Sequence, residues 1–290
     1  VLKLLNEKRE ELRKRRFSRL ELSGQERQEV IQRTAPPAIV IHEAMREQGE
    51  RELRRPASAP AWSGLAAGLS MGFSLVAQGL LQAYLPAASR RPLLTNLGYS
   101  VGFFIVILGR QQLFTENMLT VILPLLARRD IPSLLCVLRL WLIVLAANLV
   151  GAGGFAWIVG HTGTFDSVTR QAFTAIGMHA IQGDFWTMMV RAVFAGWLIA
   201  LMVWLLPAAE ATRLHVIIII TFLVGLGGLA HIIAGSVEVL YLVMTGTLSW
   251  LGYFWGFMAP MLLGNILGGV SMVAVLNHAQ VITETKRNTG

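Results

Sequence analysis

The chain has 290 residues, of which 54% are hydrophobic and 14% charged, with a mean hydropathy of +0.57 and a formal charge of +8. Soluble domains carry about 25% charged residues, so this composition excludes an ordinary soluble globular domain and points to a chain that buries its surface in lipid. The single cysteine, Cys136, excludes an intramolecular disulfide and reads as a small buried side chain of an apolar run.

Residues 1–34 are strongly polar, with Arg13, Lys14, Arg15 and Arg16 in one block, and 14 of the 25 Lys and Arg lie within residues 1–60. A basic segment attracts nucleic acid or anionic lipid. Beside so apolar a chain the lipid bilayer is the expected partner, and no nucleic acid is expected. Residues 35–57 predict an amphipathic helix on the membrane surface. Thr34 fits as its N-cap and Pro36 or Pro37 as its opening. Ile39, Val40, Ile41, Ala44 and Met45 form one side, and Glu43, Arg46, Glu47, Glu50 and Arg51 the other. Pro56 and Pro60 end it.

A membrane-spanning helix needs about 20 apolar residues. Six stretches reach that length, at about 61–85, 93–127, 133–160, 186–206, 214–244 and 249–277. They define a transmembrane domain over 58–280 and leave 281–290 as a C-terminal tail. No signal-peptide-like run precedes the first span in this sequence, so that span is expected to act as the insertion signal. With the basic tail in the cytoplasm, six spans return the C-terminus there. Arg128, Arg129, Arg213, Lys286 and Arg287 then join it, placing 19 of the 25 basic residues inside, the pattern of the positive-inside rule. Arg90, Arg91 and Arg170 fall in outside loops. Arg139 and Arg191 lie near enough to span ends to snorkel.

Polar breaks interrupt two of the six stretches. The first is Gly109-Arg110-Gln111-Gln112-Leu113-Phe114-Thr115-Glu116-Asn117; the second is Gly225-Leu226-Gly227-Gly228-Leu229-Ala230-His231. Non-helical backbone survives at membrane depth only where protein buries it or a water-filled path runs beside it. Breaks in corresponding places of two halves point to a transport site near the midplane. A shift of 117 residues lays Asn148-Leu149-Val150-Gly151 on Asn265-Ile266-Leu267-Gly268, and Phe114-Thr115 on His231-Ile232. Three spans per half is an odd number, so the second half is expected to be inverted. Gly151, Gly153, Gly154, Gly264, Gly268 and Gly269 would permit close helix packing.

His231 is the leading candidate residue. It follows two glycines, starts a half-helix, and is an ionisable group at membrane depth, where function is the default hypothesis. Its imidazole can donate to an anion or exchange a proton near neutral pH; the plain alternative is a histidine bonded to a neighbouring carbonyl. Thr115, at the partner break, can bond across the gap to His231 or to a solute. Leu113 and Phe114 beside it can form a dry constriction. Half-helix N-termini supply partial positive charge and free N–H groups that favour a small anion. Glu238, seven residues after His231, lies on the same helical face about 10 Å further along and is expected to pair with an Arg or face a vestibule. Arg110 and Glu116 are expected to pair with each other across the first loop. No phosphate loop, zinc spacing, serine-hydrolase elbow or His-Glu-x-x-His occurs, so neither an enzyme nor a metal or cofactor is expected.

These motifs carry a resemblance. Leu113-Phe114-Thr115-Glu116-Asn117 resembles the L-F-T-G-N motif of the formate/nitrite transporter family. Gly228-Leu229-Ala230-His231-Ile232-Ile233-Ala234 is similar to its fifth-helix break, which carries a central His. Leu263-Gly264-Asn265-Ile266-Leu267-Gly268-Gly269 is similar to its sixth-helix signature, and residues 185–204 align with its fourth helix. The resemblance runs from about Pro36 to His278 and is closest to a divergent inner-membrane branch. It implies an all-α, aquaporin-like fold: six transmembrane helices in two inverted three-helix repeats, with helices 2 and 5 broken. It also implies a homopentamer in a bacterial inner membrane, one pore per protomer, passing small monovalent anions such as formate, nitrite or hydrosulfide with or without a proton. Thr115 and His231 take the central polar roles, and Leu113 and Phe114 the cytoplasmic-side constriction. Gapless extension puts Phe103 and Val224 at the other constriction.

The chain departs from the family pattern at several places. The Glu before the central His is Ala230, the following Asn is Gly235, and the acid before L-F-T is Gln112. The fourth-helix Asn is Gly196, and the outer-vestibule Lys is replaced near Ala180, beside His179. These losses leave the substrate open. Glu116 and Glu238 keep a pore for a neutral or cationic solute as one alternative. A membrane scaffold or sensor that acts through its basic tail and conducts nothing is another.

Overall fold

Three of the helices begin on an aspartate that accepts a backbone hydrogen bond three residues on. Asp130 Oδ1 takes the Ser133 N–H at 2.7 Å, Asp166 Oδ1 that of Thr169 and Asp184 Oδ1 that of Thr187, each at 2.8 Å. Such N-caps satisfy amides that have no partner within the helix. In each case those bonds hold the aspartate's pKa below its ordinary value. The structure, a computed structural model, describes residues 23–33, 36–276, 278–281 and 283. The basic block at 13–16, the expected Thr34 cap and nearly all of the C-terminal tail lie outside the described residues.

The elements in chain order are α1 (Gly24–Arg33), α2 (Ala38–Arg54), α3 (Ser58–Tyr84), α4 (Arg91–Leu108), α5 (Phe114–Thr120), α6 (Ile122–Arg128), α7 (Ile131–His161), α8 (Ser167–Ala180), α9 (Phe185–Leu205), α10 (Arg213–Leu226), α11 (Ile232–Met244) and α12 (Ala259–Gly269). Two 3-10 turns, Leu206–Ala208 and Glu210–Thr212, join α9 to α10, and π-helical segments Gly252–Met258 and Val270–Val275 flank α12. The described chain is all-helical. By length and composition, Ser58–Tyr84, Arg91–Leu108, Ile131–His161 and Phe185–Ala208 can cross a membrane. The stretch at 214–244 is split between α10 and α11, and the one at 249–277 is α12 with its π-helical flanks.

Helix α1 belongs to the unit Val1–Pro37, apart from the unit Ala38–Gly290 that holds everything else. It opens on a reciprocal capping box: the Ser23 N–H donates to Glu26 Oε2 and the Glu26 N–H to Ser23 Oγ. The polar composition of residues 1–34 hid this helix, although Ser-x-x-Glu is its signature. Helix α8 is a second element that the span count passed over as an outside loop. It has 14 residues, too few to span, and Asp166-x-x-Thr169 marks its start.

Within the larger unit α3 lies along α7, and α9 along α12. Close approach explains one glycine in each pair. A Cβ on Gly68 of α3 would overlap the Asn148 backbone, and one on Gly196 of α9 the Asn265 backbone. Gly151, Gly264 and Gly268 pack as expected, but Gly154 has nothing within 4 Å. Cys136 is exposed. It lies on the outward face of α7, whose inward face is Val137, Leu140, Val144 and Asn148, so the reading of Cys136 as buried is corrected. Leu135, Leu142, Trp157, Trp186 and Trp255 are also exposed. An apolar exterior of this extent suits lipid or another apolar surface, and water poorly.

Candidate functional site

The two breaks follow one backbone course. Helix α4 ends at Gly109 (φ −72°, ψ −2°) and α10 at Gly227 (φ −76°, ψ −1°). The next residue bends left-handed in both, Arg110 at φ 50° and Gly228 at φ 57°. Then the Gln111 N–H donates to the Val106 carbonyl at 2.9 Å, and the Leu229 N–H to the Val224 carbonyl at 3.0 Å. Each loop finishes on an extended residue that opens the next helix, Leu113 (φ −101°, ψ 133°) and His231 (φ −105°, ψ 128°). The register between the breaks is therefore 118 residues. Leu113 matches His231 and Phe114 matches Ile232, one residue away from the expected pairing of Phe114 with His231.

A buried asparagine anchors each loop in the same way. Asn148 Oδ1 accepts the Phe114 N–H at 2.9 Å, while its Nδ2 donates to the carbonyls of Gly64 (2.7 Å) and Gln112 (2.9 Å). Asn265 Oδ1 accepts the Ile232 N–H at 2.8 Å, while its Nδ2 donates to the carbonyls of Ala192 (2.7 Å) and Ala230 (3.0 Å). Both side chains are fully buried. An isolated amide at that depth is costly unless bonded, and here each satisfies two backbone groups that a break would leave open and ties them to the carbonyl of a neighbouring helix, Gly64 of α3 or Ala192 of α9. The sequence pairs these asparagines through their motifs without assigning them a role. A polar amide inside an apolar run was the available signal.

The breaks meet at Thr115 and His231, whose Oγ1 and Nε2 lie 2.8 Å apart with both residues buried. His231 Nδ1 accepts the Ile233 and Ala234 N–H groups, each at 3.2 Å. A neutral imidazole has one N–H; with Nδ1 accepting, Nε2 carries it and donates to Thr115. The Phe103 ring meets the imidazole edge-on, centroids 4.9 Å apart. Leu113, Phe114 and Val224 are buried too, and Phe114 packs against Trp141. Most of the N–H groups expected to be free at the half-helix starts are bonded. Phe114 is bonded to Asn148, Ile232 to Asn265, and Ile233 and Ala234 to His231.

Two cavities lie on either side of the pair. One, of about 410 Å³, is lined by residues of α2, the first loop, Glu116, Asn117 and the end of α9. The other, of about 80 Å³, is lined by the second loop, His231, Glu238, residues of α8 and the start of α9. Helix α9 rises about 1.5 Å per residue, so its two ends hold the cavities roughly 20 Å apart. Asn117 braces the first loop, its Nδ2 donating to Gln112 Oε1 at 2.9 Å and to the Leu113 carbonyl at 3.3 Å.

The expected charge pairs do not form. Among the described residues neither Arg110 with Glu116 nor Glu238 with any Arg makes an ion pair. Arg110 projects from a left-handed bend and is exposed, whereas Glu116 Oε1 is buried without a hydrogen-bond partner. Arg191 shares the smaller cavity with Glu238, but its Nη1 donates to the Gln182 carbonyl at 2.8 Å.

A family model described as formate/nitrite transporter matches residues 39–279. The chain belongs to the formate/nitrite transporter family. It is 47% identical over 244 residues to the inner membrane protein YfdC of Escherichia coli (strain K12), covering 84% of this chain and 79% of that one. It is 27% identical over 183 residues to the formate channel BtFdhC of Bacillus thuringiensis, covering 60% of this chain and 68% of the relative. Its fold is similar to that of a pentameric formate channel with formate bound, at a TM-score of 0.65 and 21% identity over 78% of this chain and 98% of the channel. An FNT family ion channel gives a TM-score of 0.73 at 18% identity, over 83% of this chain and 98% of that one.

Within the family frame, the departures from the expected pattern acquire positions. Gln112 and Ala230 occupy matching places in the two loops, and both offer their carbonyls to the anchoring asparagines. Gly235 faces Phe257, which would lie 2.6 Å from any added Cβ, so an aromatic ring fills the space that a larger side chain would need. His179 lines the smaller cavity with Ala180.

Proposed function

We propose that this protein is a membrane channel for a small monovalent anion, with its narrowest point at the Thr115–His231 contact. The observation that carries the reading is that contact, buried between two cavities at the meeting of two like-shaped helix breaks. In this reading α4 with α5–α6, and α10 with α11, are the broken second and fifth of six spans in two inverted repeats. Residues 35–57 lie on the membrane surface before the channel domain at 58–280. Both termini are cytoplasmic, the protein is a bacterial inner-membrane homopentamer, and each protomer holds one pore. Family membership and the fold shared with formate channels support this.

The chemistry follows from the contact. Leu113, Phe114, Phe103 and Val224 give the path apolar walls that exclude water. An anion reaching the gap takes the Thr115–His231 bond apart and receives in its place the Nε2–H of His231 and the hydroxyl hydrogen of Thr115. Nδ1 stays fixed by the Ile233 and Ala234 amides, so the imidazole keeps its orientation throughout. Formate, nitrite and hydrosulfide have the size and charge for such a gap. Purified protein in liposomes should pass these anions, and Thr115→Val should reduce the rate by an order of magnitude or more. Equal flux through Thr115→Val would remove the contact from the path.

A second reading has a specific observation behind it. Glu116 and Glu238 line opposite cavities with no cationic partner among the described residues, and ionised carboxylates on both sides would repel an anion. A neutral or cationic solute then fits better. Flux of a neutral solute of similar size, unaffected by replacing the anion, would favour it.

A further inference from the structure

The smaller cavity has one wall that neither break supplies. Phe257 lines it together with His231, Gly235 and Glu238, and is itself buried. Two neighbours fix its ring. Gly235, one turn after His231 on α11, leaves room for it: an added Cβ would stand 2.6 Å from Phe257 Cζ and 3.0 Å from Cε2. Tyr253 stacks on it, with centroids 6.0 Å apart and ring planes at 24°. Tyr253 is tied in turn to α11. Its hydroxyl lies 2.9 Å from Ser236 Oγ, which donates to the Ile232 carbonyl, so the Tyr253 hydroxyl is the donor of that pair. Both rings stand on the π-helical segment Gly252–Met258, and such segments recur at functional sites. The other break has no such plate. At the register of 118 residues Gly235 matches Asn117, whose amide braces the first loop through Gln112 Oε1. The second break has a bare backbone at that place, with an aromatic ring against it.

We propose that Phe257 is a specificity-determining residue of this pore: its ring limits by size the anions that pass between the smaller cavity and His231. Formate-sized anions are admitted, and carboxylates with one more methyl group are held back. The smaller cavity has about 80 Å³ against about 410 Å³ for the other, so there the position of one ring decides what fits. A ring locked against a glycine and a stacked neighbour yields little, because a close-packed interior resists the insertion of even one methyl group. A methyl group on the carboxyl carbon has to displace the ring. A hydrogen there does not, and the two oxygens meet the Nε2–H of His231 and the Thr115 hydroxyl in either case. A filter of this kind slows a larger anion equally in both directions.

The inference rests on the pore reading, and the test separates the two. Formate and acetate fluxes are measured side by side in liposomes containing the full chain. Parent protein should pass formate faster than acetate by about tenfold or more, the discrimination that one methylene is worth in a close pocket. Phe257→Leu should raise the acetate-to-formate ratio by about tenfold, removing that discrimination. Where Phe257→Leu does not assemble, Phe257→Met, with an adaptable unbranched chain of similar bulk, carries the same test. Phe173→Leu is the control, since Phe173 is another buried ring and lies outside the lining of that cavity. It should leave the ratio where it was. Equal fluxes of the two anions through the parent, a ratio at the parent level in the Phe257 variants, or the same rise in Phe173→Leu overturns the inference alone. Absence of flux of either anion through the parent overturns the pore reading and this inference with it.

Discussion

The loop at 109–113 and the loop at 227–231 share their dihedral angles and their backbone hydrogen bonds, and each has an anchoring asparagine, yet their side chains differ. Where the second loop has Gly228, Ala230 and His231, the first has Arg110, Gln112 and Leu113. The scaffold is doubled and the chemistry is not. One break supplies an imidazole, the other a dry leucine with Thr115 two residues on. This separates the parts of the sequence that keep a polar backbone alive in an apolar interior from the parts to which the proposed function assigns selection.

The comparison breaks most visibly if the two anchors are not equivalent. Asn148→Ala and Asn265→Ala should each leave one loop amide and one loop carbonyl unbonded, at about 1–3 kcal/mol per group. Both variants should therefore lose several degrees of thermal stability in detergent, by similar amounts. A tolerated Asn148→Ala beside an unfolded Asn265→Ala would show that the first loop is held by something else.

His231 sharpens the contrast between structure and chemistry. His231→Leu copies the partner loop, removes the Nδ1 cap at about 1 kcal/mol, and should reduce anion flux strongly. His231→Asn keeps a capping side chain, so its melting temperature should stay near that of the parent while flux and its pH dependence change. Parallel losses of stability and flux in both variants would mean that the histidine serves only as a cap.

Arg110→Gly copies the second loop in the opposite direction. It should stabilise the protein by about 1 kcal/mol by relieving a left-handed non-glycine residue, and calorimetry or a denaturant titration of solubilised protein would show it. A destabilised Arg110→Gly would mean that the arginine makes contacts worth more than the bend costs.

The smallest expected effect concerns the α2 end of the molecule. His42 Nε2 and His278 Nδ1 lie 3.0 Å apart with their rings stacked, and Trp204 packs edge-on against His42. Burial and then the neighbouring His278 hold the His42 pKa below its ordinary 6.5, with Glu43 opposing and Arg46 reinforcing. Burial and then Arg129 lower that of His278. A histidine with a lowered folded pKa contributes fully above its unfolded value and loses that contribution as pH falls through about 6.5 toward the folded value. Protection of the α2 amides, after correction for the base-catalysed intrinsic exchange rate, should fall from about pH 7.5 to about 5.5, and His42→Gln should flatten the change. Exchange with the same pH response in parent and variant would assign it elsewhere.

Much of this was legible in the chain because glycines and polar residues inside apolar runs are rare enough to carry meaning. That holds for Gly109, Gly227, Gly228 and His231, and for the matched asparagine motifs. The loop register came out one residue short because the breaks are 118 residues apart while their anchoring asparagines are 117 apart, and one offset cannot fit both. The pairing of Arg110 with Glu116 failed because sequence proximity does not tell which way a left-handed bend throws its side chain. Of the two roles expected for Glu238, it lines a cavity and makes no ion pair among the described residues, since Arg191 beside it donates to a main-chain carbonyl. Cys136 was placed inside because the helical face that turns outward in a membrane protein is as apolar as the one that turns in.

The central claim is that solute passes between Thr115 and His231. In a Cys136→Ser background, Thr115→Cys places the only thiol of the chain in that gap. A small neutral methyl thiosulfonate, which transfers its methylthio group to the thiol as a mixed disulfide and releases sulfinate, should stop formate flux in liposomes, reduction should restore it, and excess formate should slow the modification. Complete modification by mass with flux unchanged would contradict the account.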